Sequence, residues 1–188
     1  MATTNKDTKV VTGKVRLSYC NLFQPRAVEE GQEAKYSCTV LIPKSDKATS
    51  AKIKAAIEAA KAAGASIFGG KVPANLKSPV HDGDGEKPNG GEYGEECKGH
   101  YVINASSKQK PGVVDSKLNE IIDSTEVYSG CYGKVSINFY CFSKSGNKGI
   151  ACGLNNVQKI ADGDYLGGRS RAEDDFEAES DDEGGLLD

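Results

Sequence analysis

Between Lys9 and Tyr19 apolar and polar residues alternate, with Val11, Val15, Leu17 and Tyr19 set against Thr12, Lys14, Arg16 and Ser18. A period of two marks a strand with one face buried, so a first strand with a basic outer face is expected here. Ala34 to Ile42 alternates in the same way, Tyr36, Cys38, Val40 and Ile42 opposing Lys35, Ser37 and Thr39, and Pro43 stops it. The period then changes. From Asp46 to Ala63 the chain is rich in Ala, Lys and Glu, and Ile53, Ala56, Ile57 and Ala60 fall on one helical face. Ser45 is the expected N-cap, Asp46 suits the positive end of the helix dipole, and Gly64 suits the C-cap. An apolar stripe made mostly of alanine predicts close packing on a sheet and lacks the bulky groups of a membrane-surface helix.

Gly, Pro and acidic residues dominate 69–99, which predicts a long surface loop; loops of that length usually act as lids or binding flaps. A strand is expected from His100 to Ser106, then a Lys108–Gly112 turn, a short Val113-Val114 piece and a helical turn over Leu118–Ile122. Tyr132 to Ser143 gives the clearest strand, with Val135, Ile137, Phe139 and Cys141 on one face and Tyr132, Lys134, Ser136, Asn138, Tyr140 and Phe142 on the other. Ser145–Gly149 reads as a turn, and Ile150–Leu154 returns as the second arm of a hairpin.

Charge divides the chain. The whole sums to −3, but residues 173–188 hold nine acids and no Lys or Arg, so residues 1–172 carry 24 basic against 18 acidic residues, a body charge of +6. A basic body joined to an acidic tail points to nucleic-acid or membrane contact. No apolar run reaches the roughly 18 residues of a membrane-spanning helix, and the first nine residues lack the apolar stretch of a secretory signal, so a soluble cytoplasmic protein without membrane partners is expected. The expected organisation is a short flexible N-terminus (1–8), one domain (9–165), and a linker with a disordered acidic tail (166–188). The six cysteines are dispersed and read as free thiols, with Cys38, Cys141 and Cys152 as small core residues; without a Cys-x-x-Cys pair or closely spaced histidines, no metal or other cofactor is assigned.

Proteins that hold single strands without reading sequence combine cationic groups with aromatic faces on which bases stack. Tyr132, Tyr140 and Phe142 share one strand face with Lys134, and Lys14 and Arg16 add charge on a neighbouring strand; core packing and a solvated strand face are the bland alternatives. Alternating carboxylates in Asp82-Gly-Asp-Gly-Glu86 raise the possibility of a magnesium-dependent nuclease, although the calcium-loop register fails at Lys87 and Tyr93. The chain has neither a phosphate-binding Gly-x-x-x-x-Gly-Lys loop nor a Gly-x-Ser-x-Gly elbow.

Arg16-Leu-Ser-Tyr19 with Leu22-Phe23 and Pro25, Tyr36 with Ile42-Pro-Lys44, Pro79-Val-His-Asp-Gly-Asp84, Tyr128-Ser-Gly-Cys131, and Gly149-Ile150 with Gly153-Leu-Asn-Asn-Val-Gln158 follow one another in an order that resembles the bacteriophage single-stranded-DNA-binding proteins, a family once catalogued as a domain of unknown function. The resemblance spans roughly residues 10–160. It implies a β-rich (α+β) fold, an OB-like barrel in which the Asp46–Ala63 helix is an addition, and sequence-tolerant binding of single-stranded DNA in phage replication, recombination or repair. It also implies a tail that contacts replication proteins, here through Asp181, Asp182, Glu183, Leu186 and Leu187. Related tails commonly end in an aromatic residue, whereas this one ends Gly184-Gly-Leu-Leu-Asp188 with Phe176 further back.

The leading expectation is therefore a non-catalytic coat for single-stranded DNA, with Lys14, Arg16, Tyr132, Lys134, Tyr140 and Phe142 as its DNA contacts. The alternatives are the nuclease of the Asp82–Glu86 loop and a phage structural protein. Oligomeric state stays open.

Overall fold

The computed structural model describes residues 6–27, 29–88, 90–166 and 176. The expected tail contacts Asp181, Asp182, Glu183, Leu186 and Leu187 lie outside the described residues. The strands are β1 (Lys9–Val11), β2 (Val15–Arg26), β3 (Lys35–Pro43), β4 (Val80–Asp82), β5 (His100–Ser107), β6 (Gly112–Val114), β7 (Tyr132–Lys144) and β8 (Asn147–Ala161), and the helix α1 is Lys47–Ala63.

Five of these strands close on themselves in the order β2-β3-β5-β8-β7 and back to β2, with the parallel β5–β8 contact at Ser106 and Gly153 completing the ring. Alternation places Val15, Leu17, Val40, Ile103, Val135, Ile137, Phe139 and Val157 inside, all essentially inaccessible. This is the strand order of an OB barrel, with α1 inserted between its second and third strands. The addition expected from the sequence is thus located. β1 extends the sheet from β7, β6 pairs with β8, and β4 pairs with β5.

α1 lays Ile53, Ala56 and Ala60 into the core. Its small residues permit a close approach: the Cys141 thiol donates to the Ala60 carbonyl at 3.2 Å, and a Cβ on Gly64 would stand 2.6 Å from that of Cys141. Only glycine fits there. The N-cap is Asp46, one residue after the expected Ser45, because its carboxylate accepts both the Thr49 amide (3.1 Å) and the Thr49 hydroxyl (2.6 Å).

Other departures have local causes. The expected Lys9–Tyr19 strand is two strands, since the chain turns at Gly13, whose amide donates to Thr49 Oγ1 at 2.9 Å. That break reverses the parity before it, so Val10 is buried and Val11 exposed. Leu118–Ile122 is not helical: the Asp115 carboxylate accepts the amides of Lys117 (2.8 Å) and Asn119 (2.9 Å), forming a tight turn instead. β8 runs to Ala161, beyond the expected Leu154, paired along the length of β7. The body also begins within the expected flexible N-terminus, as Lys6–Thr8 form a short 3-10 turn with Thr8 buried.

Candidate nucleic-acid interface

Pairing across β2, β3 and β5 lays out three rows of side chains on the outer face of the barrel. They are Arg16–Leu41–Val102, continuing to His81 on β4; Ser18–Thr39–Asn104; and Asn21–Ser37–Ser106. The first row is covered, as Leu41, Val102 and Cys97 form a small buried cluster against which Tyr93 packs. The other two consist of short uncharged side chains that leave space above them. Ser18, Ser37, Thr39, Asn104 and Ser106 floor a groove of ≈ 1080 Å³. The floor is held by its own hydrogen bonds, Thr39 Oγ1 donating to Asn104 Oδ1 at 2.7 Å and Asn21 Nδ2 to Ser37 Oγ at 3.3 Å.

One wall is the segment 83–99, part of the long loop expected to act as a lid or flap. Lys87, Pro88, Tyr93, Gly94, Glu96 and Cys97 all face the groove. Its base is clasped shut: Lys44 Nζ lies 2.6 Å from Asp82 Oδ1 and 2.7 Å from Asp84 Oδ2, and Asp84 Oδ1 accepts the Gly99 amide at 3.0 Å. The Lys44 ammonium, before any other influence, holds both carboxyls below their ordinary range, and the two carboxylates hold Lys44 above its own. Gly83 is required within this clasp, because a Cβ there would collide with the carbonyl oxygens of Cys97 and His100. Lys87 Nζ sits 5.8 Å from the Tyr93 ring centroid. Asp82 and Asp84, two of the three carboxylates of the alternative nuclease reading, are therefore already paired with a cation. Among the described residues no three His, Cys, Asp or Glu side chains are grouped as metal ligands.

The opposite wall carries Tyr19. Register passes from Ser18↔Thr39 to Asn21↔Ser37, so Tyr19 and Cys20 together oppose the single residue Cys38 in a two-against-one bulge. Tyr19 takes the left-handed conformation, φ 46, that usually falls to glycine, and its amide donates to Ser129 Oγ at 2.8 Å. Its ring is 68% exposed at the groove. Beyond it, Lys110 Nζ lies 5.7 Å from the Phe23 centroid, and Lys108 pairs with Glu33 at 3.1 Å.

The residues singled out from sequence divide into two groups. Lys14 Nζ (5.1 Å) and Arg16 Cζ (5.6 Å) both lie over the Tyr132 ring, and Lys134 is exposed on the same face of β7. Arg16 also links the turn before β7 to the segment after β8, donating from Nε to Gly130 O at 3.2 Å and from Nη2 to Asp164 O at 2.8 Å. Tyr140 and Phe142 sit eight and ten residues further along β7, roughly 26–33 Å away at the rise of a strand. Tyr140 is 45% exposed, and burial of the remainder raises its phenol above the ordinary value. The Phe142 ring lies over Gly149, 3.0 Å from where a Cβ would be. The six residues do not form one surface.

Sequence reasoning missed the groove floor, Tyr93, and the outward turn of Tyr19, which alternation assigns to the buried face. Only the pairing of β2 with β3 discloses that bulge.

A closed five-stranded barrel with an open groove, floored by Ser, Thr and Asn across three of its strands, defines an OB-type binding module. The family model described as "Enterobacter phage Enc34, ssDNA-binding protein" matches residues 8–187, and the chain belongs to that family. The solved single-stranded DNA-binding protein from bacteriophage Enc34 in complex with ssDNA is similar at a TM-score of 0.73 and 30% identity, covering 86% of this chain and 91% of that one. Another structure of the Enc34 protein gives a TM-score of 0.71 at 28% identity, with 92% of each chain covered. Protein p50 of Acyrthosiphon pisum secondary endosymbiont phage 1 is 29% identical over 180 residues, 90% of this chain and 92% of the relative. At 12% identity, gp2.5, a single-stranded DNA binding protein encoded by bacteriophage T7, shares the fold with a TM-score of 0.63 over 91% of this chain and 99% of that one.

Proposed function

We propose that this protein binds single-stranded DNA without sequence preference, non-catalytically, during phage DNA replication, recombination or repair in the host cytoplasm. The observation that carries this reading is the open groove of the β2–β3–β5 face, floored by Ser, Thr and Asn and walled by Tyr19 and Tyr93, in a member of the Enc34 family. Bases enter the groove and stack on Tyr19, while the short hydroxyl and amide side chains of the floor offer hydrogen bonds without imposing a code. Arg16 lies two residues from Ser18 on the same outer face of β2, so the patch of Lys14, Arg16, Tyr132 and Lys134 continues the groove and meets phosphates of the leaving strand. Tyr140 and Phe142 fall outside this path. The ammonium of Lys44 between Asp82 and Asp84 favours a structural clasp over a nuclease centre.

Anisotropy of a labelled oligothymidine checks the proposal. Binding is expected at low salt, with log K falling by about 0.7 per unit of log salt for each phosphate neutralised, and no cleavage when magnesium is present. Absence of binding at low salt contradicts it. For the acidic segment 173–188, with Asp181, Asp182, Glu183, Leu186 and Leu187, the proposed roles are competition with DNA for the basic surface and contact with replication partners. Removing the segment is expected to tighten oligonucleotide binding at low salt; unchanged affinity would leave partner contact as its sole role.

A further inference from the structure

The bulge that turns Tyr19 outward turns Cys20 inward. Cys20 and Cys38, on adjacent antiparallel strands, have their sulfurs 3.8 Å apart, and Cys38 lies on the inner face of β3 between the groove-floor residues Ser37 and Thr39. Cys38 is buried, and Cys20, partly exposed as a residue, packs its side chain against the core, so a small oxidant reaches the pair only when the bulge opens. Cys131 is fully buried, near enough to be influenced by the charge of Cys20. Closing the 3.8 Å gap to the about 2.05 Å of a disulfide requires side-chain rotation and a small approach of the bulge toward β3.

We propose that Cys20 and Cys38 form an oxidation site for peroxides, and that the disulfide made there restrains the Tyr19 bulge and weakens the groove. Cys20 Sγ attacks one peroxide oxygen; the O–O bond breaks, water leaves and a sulfenic acid remains. Cys38 Sγ then attacks the oxidised sulfur, the S–O bond breaks, and a second water carries away the hydroxyl and a proton. Two thiols thus lose two electrons and two protons to one hydrogen peroxide, giving one disulfide and two waters. The hydrogen bond to Cys38, and then burial, push the Cys20 thiol above its ordinary value, so the thiolate is scarce at neutral pH and the reaction is slow. The dithiol is consequently the resting state in a reducing cell, and oxidation a response to excess peroxide.

The chemical step stands independently of the DNA-binding reading; its effect on the groove rests on it. The full chain would be treated with hydrogen peroxide and then an alkylating reagent, digested without reductant, and examined by mass spectrometry. A linked peptide pair joining Cys20 to Cys38, two mass units lighter than the sum of the two and separated by reductant, is expected. Linkage of Cys20 to Cys131 instead, or sulfinic acid at Cys20 without linkage, overturns the assignment. Anisotropy on the same samples should show the oxidised protein binding oligothymidine about fivefold or more weakly, the order of one lost stacking contact, with recovery on reduction. Cys20→Ser should bind as the reduced protein does and ignore peroxide. Equal affinity of the linked and reduced forms overturns the effect on the groove, whereas absence of binding by the reduced protein would count against the DNA-binding reading alone.

Discussion

The outer face of β2, β3 and β5 and the outer face of β7 belong to the same barrel but serve it differently. β7 advertises itself in sequence, with Tyr132, Lys134, Tyr140 and Phe142 spaced by even numbers on one side of a single strand. Its length works against it, because residues that share a face are spread along a strand of thirteen residues and its two ends meet different neighbours. The other face holds mostly Ser, Thr and Asn, side chains that promise little alone. Small side chains make a floor, and walls brought from the 83–99 segment and the β2 bulge turn that floor into a groove. A concave site is built from what is short as much as from what is reactive.

The largest effect expected concerns Tyr19. Tyr19→Gly should weaken oligonucleotide binding about tenfold, within the roughly 1–3 kcal/mol of a stacked base. The same change should raise thermal stability, since glycine escapes a left-handed penalty of roughly 1 kcal/mol. Anisotropy and a thermal melt on one sample would show the two moving in opposite directions; a parallel loss of both would make Tyr19 structural. Next in size, Lys14→Ala and Lys134→Ala should each reduce the salt slope of binding by about 0.7 with only modest loss of affinity, the mark of a phosphate contact. A change in affinity with an unaltered slope would move these residues off the strand's path.

The clasp of the flap adds an acid-dependent difference between the two faces. Asp82 and Asp84 have folded-state values depressed by Lys44, so their contribution is present above the ordinary carboxyl value of about 3.9 and is lost as pH falls through the depressed ones. Hydrogen exchange at Gly83 and Gly99 should therefore quicken, relative to each amide's intrinsic rate, as pH is lowered through that range, while amides in the middle of β7 stay protected. Smallest of all is the expected effect of Tyr140→Ala on binding, within about twofold of wild type, since no stacked base is lost there. A tenfold loss would extend the strand's path over the whole of β7.

Much of the fold was legible because burial and periodicity agree along β3 and β7, whose inward residues Cys38, Val40, Ile42, Val135, Ile137 and Phe139 are the ones alternation selects. The helix was legible for a similar reason, with Ile53, Ala56 and Ala60 buried at helical spacing. Tyr19 was not, because a bulge is a property of two strands and leaves no mark on one. Nor was the clasp, where Lys44 meets carboxylates about forty positions away. Within the candidate site, the convergence of Lys14 and Arg16 on Tyr132 could be anticipated from charge and aromatic spacing. The groove floor could not, since Ser37 and Asn104 acquire a role only from the walls around them.

Whether single-stranded DNA lies in the groove of the β2–β3–β5 face is decided by mapping amide shifts of isotopically labelled protein during titration with oligothymidine. The largest changes are expected at Ser18, Tyr19, Ser37, Thr39, Asn104 and Ser106 and in the flap around Tyr93, with Tyr140 and Phe142 unmoved. Changes centred on Tyr140 and Phe142, with the groove floor silent, would contradict binding in the groove.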